Sequence, residues 1–233
     1  LCIFCGARPN FIKVAPIIRV INKLSESDNA HKVGYSLVYA GSEDDPTLED
    51  KLFEELSIHR PDAYLGVDCE NLNELTGLVM SKFEQYLQAN SSDVVIVVDD
   101  LASTMAAAIV TKKQAITLAH IAAGTRSFDI TMPKEINRLV IDGLSDILFT
   151  AGFSNNSIAN KEGAELSKVY MVGNILIDNI RYNRERIEGM SLADIDALAG
   201  LPIKEGNYLV FTLNRKALLA DQDNLEKMLR VLS

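Results

Sequence analysis

The sequence predicts an α/β protein on a doubly wound parallel sheet, and three observations carry that expectation. Short apolar runs alternate with longer stretches of helical period along the whole chain. The runs are apolar without in–out alternation, VVIVV at Val94 to Val98 being the purest, so both faces of the sheet should be covered. Several of them end in Gly, Asp or Asn just before a helix begins. In open sheets of this kind ligands bind outside the carboxyl ends of the strands. The loops that follow the strands are therefore the first place to look for function.

Composition sets the outer bounds. A chain of 233 residues holds one large domain, or one domain and part of another. Hydrophobic residues at 48% and charged residues at 24% describe an ordinary globular protein. A net charge of -9 and a pI near 4.9 argue against a broad nucleic-acid or anionic-membrane surface. An anionic ligand would need a local cluster of Arg and Lys. Three cysteines make no disulfide framework and point to a reducing compartment. Cys2 and Cys5 read as a C-x-x-C pair, but inside a strand their odd spacing sends them to opposite faces. His31, His59 and His120 show no ligand spacing, and no metal site is expected. There is no run of 18 apolar residues and no leader pattern, so a cytoplasmic protein starting at or just before Leu1 is expected.

Taken in order, Leu1 to Gly6 reads as a buried parallel strand. The turn Ala7 to Asn10 leads into a helix reaching about Leu24. Lys13 in its first turn opposes the helix dipole. With Arg8 it reads either as a pair of solvated charges or as a phosphate clamp at a helix N-terminus. Val33 to Gly41 is the second strand. An acidic turn, Ser42 to Pro46, precedes a short helix at Leu48 to Leu56, and the Arg60 to Gly66 region holds a brief strand. From Asn71 to Ala89, Leu72, Leu75, Val79, Phe83 and Tyr86 recur at helical spacing as core contacts.

Val94 to Val98 ends at Asp99 and Asp100, which should point to opposite sides. One can cap the helix Ala102 to Lys112 while the other faces the crevice, or capping alone explains them. The central stretch, Ile116 to Thr150, opens with a strand to Ala122 and breaks at Gly124. A polar loop with Arg126 and Asp129 follows, then Pro133 sets the first turn of a helix. Glu135 sits where a negative charge is favoured, and Arg138 lies one turn further on the same side. Ser154 can cap a helix to Gly163, Lys168 to Val172 is a strand, and a helix runs from about Leu176 to Ile187. The expected domains are 1–189, a linker or hinge at 190–206, and 207–233 as the start of a second α/β domain that is largely missing. In that last part Tyr208 to Leu213 reads as a strand and a helix begins near Asp221. No G-x-G-x-x-G follows any strand, which weakens a nicotinamide or flavin dehydrogenase.

Several segments together resemble the non-hydrolysing UDP-N-acetylglucosamine 2-epimerase family. They are GARPNFIKVAP (Gly6 to Pro16), DVVIVVDDLAST (Asp93 to Thr104), HIAAGTRSFD (His120 to Asp129), MPKEINRLVIDGLSDILFT (Met132 to Thr150) and VGNILID (Val172 to Asp178). The resemblance implies a Rossmann-like domain in a GT-B type two-domain arrangement, a UDP-sugar in the cleft, a homodimer, and neither metal nor nicotinamide cofactor. It also implies inversion of C2 of UDP-GlcNAc by UDP elimination and re-addition. Such chemistry needs an acid–base pair and cations to hold the departing diphosphate.

Position by position, the resemblance keeps the binding half and loses much of the acid–base half. Arg8 and Lys13 match GTRPE-x-x-K, with Asn10 in place of its Glu. Arg126 matches HVEAGLR, Arg138 matches the end of PEE-x-NR, and Arg215 matches T-x-HR; with Arg8 and Lys13 these are the substrate-binding candidates. Asp100 matches the catalytic Asp of GD-x-x-ST, while Asp99 replaces its Gly. Ala122, Lys134 and Asn214 stand where the family has a catalytic Glu, a Glu and a His, and Ser42-Glu43 replaces a Gln-His pair. Asp100, Glu135 and Asp129 are the proton carriers that remain. Losing one member of an acid–base set costs ~10²–10⁴-fold. The functions to weigh are an impaired epimerase, an inert UDP-sugar-binding or regulatory paralogue, and, more distantly, a GT-B glycosyltransferase.

Overall fold

The computed structural model describes residues 1–26, 33–191, 194–195, 203–204, 206–213 and 219–232. His31, Asn214 and Arg215 lie outside the described residues, as does much of the expected linker. Two compact units are present, Leu1–Arg184 and Glu185–Ser233.

The first unit is organised by strands β1 (Cys2–Cys5), β2 (Ser36–Tyr39), β3 (Ala63–Tyr64), β4 (Val94–Val98), β5 (Thr117–Ala123), β6 (Ile147–Thr150) and β7 (Val169–Met171). All pair in parallel, in the order β3-β2-β1-β4-β5-β6-β7. The order reverses between β1 and β4, which makes their carboxyl ends the switch point of the sheet. The helices of this unit are α1 (Arg8–Glu26), α2 (Asp50–Leu56), α3 (Leu72–Ala89), α4 (Ala102–Lys113), α5 (Pro133–Leu144), α6 (Phe153–Lys161) and α7 (Leu176–Tyr182), while α8 (Arg184–Glu188) starts on its last residue and belongs otherwise to the second unit. In the second unit α9 (Gln222–Leu232) follows Asp221, whose side chain accepts from the Asn224 amide at 3.1 Å.

Both sheet faces are covered, as the apolar strands require. Phe11, Val14 and Ile18 of α1 and Leu52, Phe53 and Leu56 of α2 pack on one face with Ile3, Cys5 and Leu37. Val79 and Phe83 of α3, the alanines of α4 and Ile141 of α5 pack on the other with Cys2, Phe4 and Val95. Cys2 and Cys5 thus fall in different layers as free, buried thiols. Burial pushes the Cys2 thiol up to about 12 and raises the Cys5 thiol well above its ordinary value. In α3 the expected core positions Val79 and Phe83 are fully buried, but Leu72, the first residue of the helix, is 55% exposed. Asn71 caps that helix, accepting from the Asn73 and Glu74 amides at 2.9 and 3.1 Å.

Four local expectations change. Arg8 is itself the first residue of α1, so Lys13 falls in the second turn. Ser154 lies inside α6, which Gly152 precedes without a side-chain cap. The helix expected over Leu176 to Ile187 breaks at Asn183 into α7 and α8. Tyr208 to Leu213 forms no strand. Leu209 and Val210 are more than 70% exposed there, and an apolar run becomes a strand only against a partner strand. Among the described residues no helix is long and apolar enough to cross a membrane.

Candidate functional site

The carboxyl ends of β1, β4 and β5 frame a crevice of about 390 Å³, lined among others by Asn10, Lys13, Asp99, Asp100, Lys134 and Arg138. Each wall has a local cause. Gly6 follows β1, and a Cβ there would come within 2.2 Å of Ser103 Oγ, so the chain leaving β1 runs close against the first turn of α4. Asn10 is 1% exposed and its Oδ1 accepts from the Gly6 and Ala7 amides at 2.8 and 3.2 Å, fixing the turn that launches α1. Its Nδ2 is thereby aimed at Asp99 and donates to Oδ2 at 3.0 Å.

Asp99 takes a left-handed conformation, φ 64°. That breaks the alternation expected of adjacent strand residues, and both aspartates come to face the crevice. Neither caps α4, whose N-cap position is Leu101 without a side-chain bond. Lys13 Nζ donates to Asp99 Oδ1. Asp100 receives Arg138 through Nε at 2.8 Å and Nη2 at 2.6 Å, with Lys134 Nζ 3.4 Å away. Asn137 Nδ2 holds the Asp100 carbonyl at 2.8 Å. Three cations and two carboxylates therefore share one concavity.

Glu135 occupies a different place from the one expected of a proton carrier. It is 3% exposed, and its carboxylate accepts from the Ser127 amide and hydroxyl, both at 2.9 Å, the Phe128 amide at 3.1 Å and Arg138 Nη1 at 3.2 Å. Burial pushes its pKa up, but these donors outweigh burial and bring it down to about 2. The residue ties the loop after β5 to α5. Asp129 turns on Thr131, accepting from its amide at 3.0 Å and hydroxyl at 2.6 Å, bonds that depress its pKa.

Behind the crevice lies a buried network that the sequence reading missed. Asp142, 8% exposed, accepts from His120 Nδ1 at 2.6 Å, the Gly124 amide at 2.9 Å and Arg126 Nη2 at 2.8 Å. Burial raises its pKa, and the His120 and Arg126 contacts lower it further than burial raises it. His120 Nε2 lies 3.1 Å from the Asp99 carbonyl, so both ring nitrogens face oxygen atoms. The available signal was periodicity: Glu135, Arg138 and Asp142 follow one another by three and four residues on the same helix face.

The substrate-binding candidates accordingly divide. Lys13 and Arg138 line the crevice together. Arg8 stands exposed at the start of α1, beside Ala7 and Pro9 of the crevice rim. Arg126 does not face it: its side chain is 1% exposed and its guanidinium is held by Asp142 and by Glu162 at the end of α6. Ala122 lines the crevice in a left-handed conformation, φ 70°, at the point where the β5–β6 register shifts. Among the described residues no group of three or more His, Cys, Asp or Glu is placed to hold a metal ion.

Known proteins share this fold. A family model described as UDP-N-acetylglucosamine 2-epimerase matches residues 25–233. The UDP-N-acetylglucosamine 2-epimerase of Methanocaldococcus jannaschii is 30% identical over 230 residues, covering 98% of this chain and 60% of the relative. A UDP-N-acetylglucosamine 2-epimerase homolog of Methanococcus maripaludis is 32% identical over 224 residues, covering 96% and 59%. The chain thus spans about 60% of the length of these curated relatives. The solved M. jannaschii epimerase superposes with a TM-score of 0.78 at 29% identity, over 98% of this chain and 60% of that one. The same enzyme in complex with UDP-GlcNAc and UDP gives 0.73 at 31% identity, over 83% and 52%. A lipopolysaccharide outer core galactosyltransferase, 14% identical with a TM-score of 0.53 over 74% and 44%, shares the fold alone. The fold is Rossmann-like with GT-B neighbours, and this chain belongs to the UDP-N-acetylglucosamine 2-epimerase family.

Proposed function

We propose that this chain binds a UDP-sugar of the UDP-N-acetylglucosamine class in the crevice at the β1–β4 switch point, and that it epimerises that sugar slowly or not at all. The convergence of Lys13, Lys134 and Arg138 on one concavity carries the binding half of this reading. Cations so placed suit a diphosphate, whose charge they offset in the bound state and in any departing UDP.

The chemical half rests on what stands beside those cations. Ala122 cannot carry a proton, and Lys134 brings a positive charge where the resemblance has a carboxylate. Glu135, with a pKa near 2 and four donors on its carboxylate, is neither a proton donor at neutral pH nor free to leave its loop. A residual epimerase is the second reading. It draws on Asp100, which lines the crevice and would act from its pair with Arg138.

Titration of the chain with UDP-GlcNAc and with UDP, followed by calorimetry, tests the binding half. Saturable binding of both, competing for one site, is the expected result; no binding of either would overturn it. We also expect a homodimer, as the resemblance implies, which light scattering of the purified chain decides.

A further inference from the structure

Two crevice residues that depart from the family's pattern touch each other. By the resemblance Asn10 stands where the pattern has Glu and Asp99 where it has Gly, and the Asn10 side-chain amide donates to the Asp99 carboxylate at 3.0 Å. A glutamate at position 10 could not make that bond, since a carboxylate has no proton to offer near neutral pH. The amide is oriented by the Gly6 and Ala7 amides on its oxygen, and it is almost wholly buried. Asp99 is held on its other sides as well: its amide donates to the Ile121 carbonyl at 3.3 Å and its own carbonyl faces His120 Nε2 at 3.1 Å. A non-glycine residue at φ 64° persists where the surroundings over-determine it.

The consequence falls on Lys13. Its ammonium donates to Asp99 Oδ1, so this crevice cation already holds a carboxylate from the end of β4. We infer that Asp99 is an internal counter-ion that competes with a ligand's diphosphate for Lys13, and so sets the affinity of the crevice for nucleoside diphosphates. The inference rests on the UDP-sugar reading above. A phosphate oxygen reaches Lys13 by displacing a carboxylate already in place, or it stops short of Lys13 and relies on Arg138 and Lys134.

The test is titration of UDP, and separately of inorganic pyrophosphate, into the wild-type chain, Asp99→Asn, Asp99→Gly and the double variant Lys13→Ala with Asp99→Asn, at one ionic strength. Asparagine tolerates the left-handed backbone and glycine prefers it, so one arm remains if the other misfolds. Expected is binding about ten- to a hundredfold tighter in both single variants for both probes, the range one charge-assisted hydrogen bond is worth, with the gain lost in the double variant. Wild type and both single variants binding UDP equally would overturn the counter-ion role and leave the UDP-sugar reading standing. Tightening for UDP but not for pyrophosphate would also overturn it, because the competition is for phosphate. No binding by any form would remove both.

Discussion

Asn10 Nδ2 lies 3.0 Å from Asp99 Oδ2, joining the first turn of α1 to the end of β4 across 89 positions of sequence. The contact closes the switch point of the sheet from one side, and it makes the two residues a unit. Asn10→Glu should bring two carboxylates together beside Lys13 and cost about 1–3 kcal/mol of stability. Asp99→Gly made in the same chain should recover most of that loss. Denaturant unfolding of the two single variants and the double variant measures the coupling, and strictly additive effects would refute it.

Glu135 makes the fold sensitive to acid. Its folded pKa is depressed from 4.5 to about 2, so its contribution is fully present above pH 4.5 and is lost as the pH falls through about 2. Asp142, also depressed, acts in the same direction. Urea midpoints followed from pH 6 to pH 2 should therefore fall less steeply below about pH 4.5 in Glu135→Gln than in the wild type. Parallel curves would show that the carboxylate is not what holds the loop.

Burial decides which ion pairs matter. Asp142 faces His120, Arg126 and the Gly124 amide from a buried position, and Asp142→Asn leaves the Arg126 guanidinium and the His120 ring short of a charged acceptor. A cost of about 3–5 kcal/mol is expected. Asp50 pairs with Arg60 at 2.6 Å but is 81% exposed, so Asp50→Ala should change stability by less than about 1 kcal/mol. Thermal and chemical unfolding of the two variants, side by side, separates the cases.

Two arginines that look equivalent in the sequence should behave oppositely. Arg138 lines the crevice, and Arg138→Ala should weaken UDP binding about tenfold or more. Arg126 bridges Asp142 and Glu162 out of solvent, so Arg126→Ala should destabilise the fold and leave the affinity of the folded protein within about twofold. Calorimetric titration below the melting temperature of each variant distinguishes the roles.

The sheet was legible because its strands are apolar on both faces and its helices are periodic. Val94 to Val98 and the helix opened by Pro133 are where the sequence places them. Tyr208 to Leu213 shows the limit of such reasoning, since a strand-like run carries no information about whether a partner strand is beside it. The site was legible in part. Lys13, Asp100 and Arg138, singled out by resemblance as candidates, line one crevice. The left-handed turn at Asp99 was not legible, because it depends on Asn10 and His120 from other elements rather than on its neighbours. Arg126 turns from the crevice for the same reason: its partners, Asp142 of α5 and Glu162 at the end of α6, lie 16 and 36 residues away.

The most direct measurement is incubation of the purified chain with UDP-GlcNAc in deuterated water, followed by NMR of the sugar while UDP binding is monitored in the same sample. Bound nucleotide with no deuterium at C2 and no ManNAc product is the expected result. Deuterium at C2 at the rate of an ordinary epimerase would contradict it, showing that Asp100 or another crevice group moves the proton despite Ala122 and Lys134.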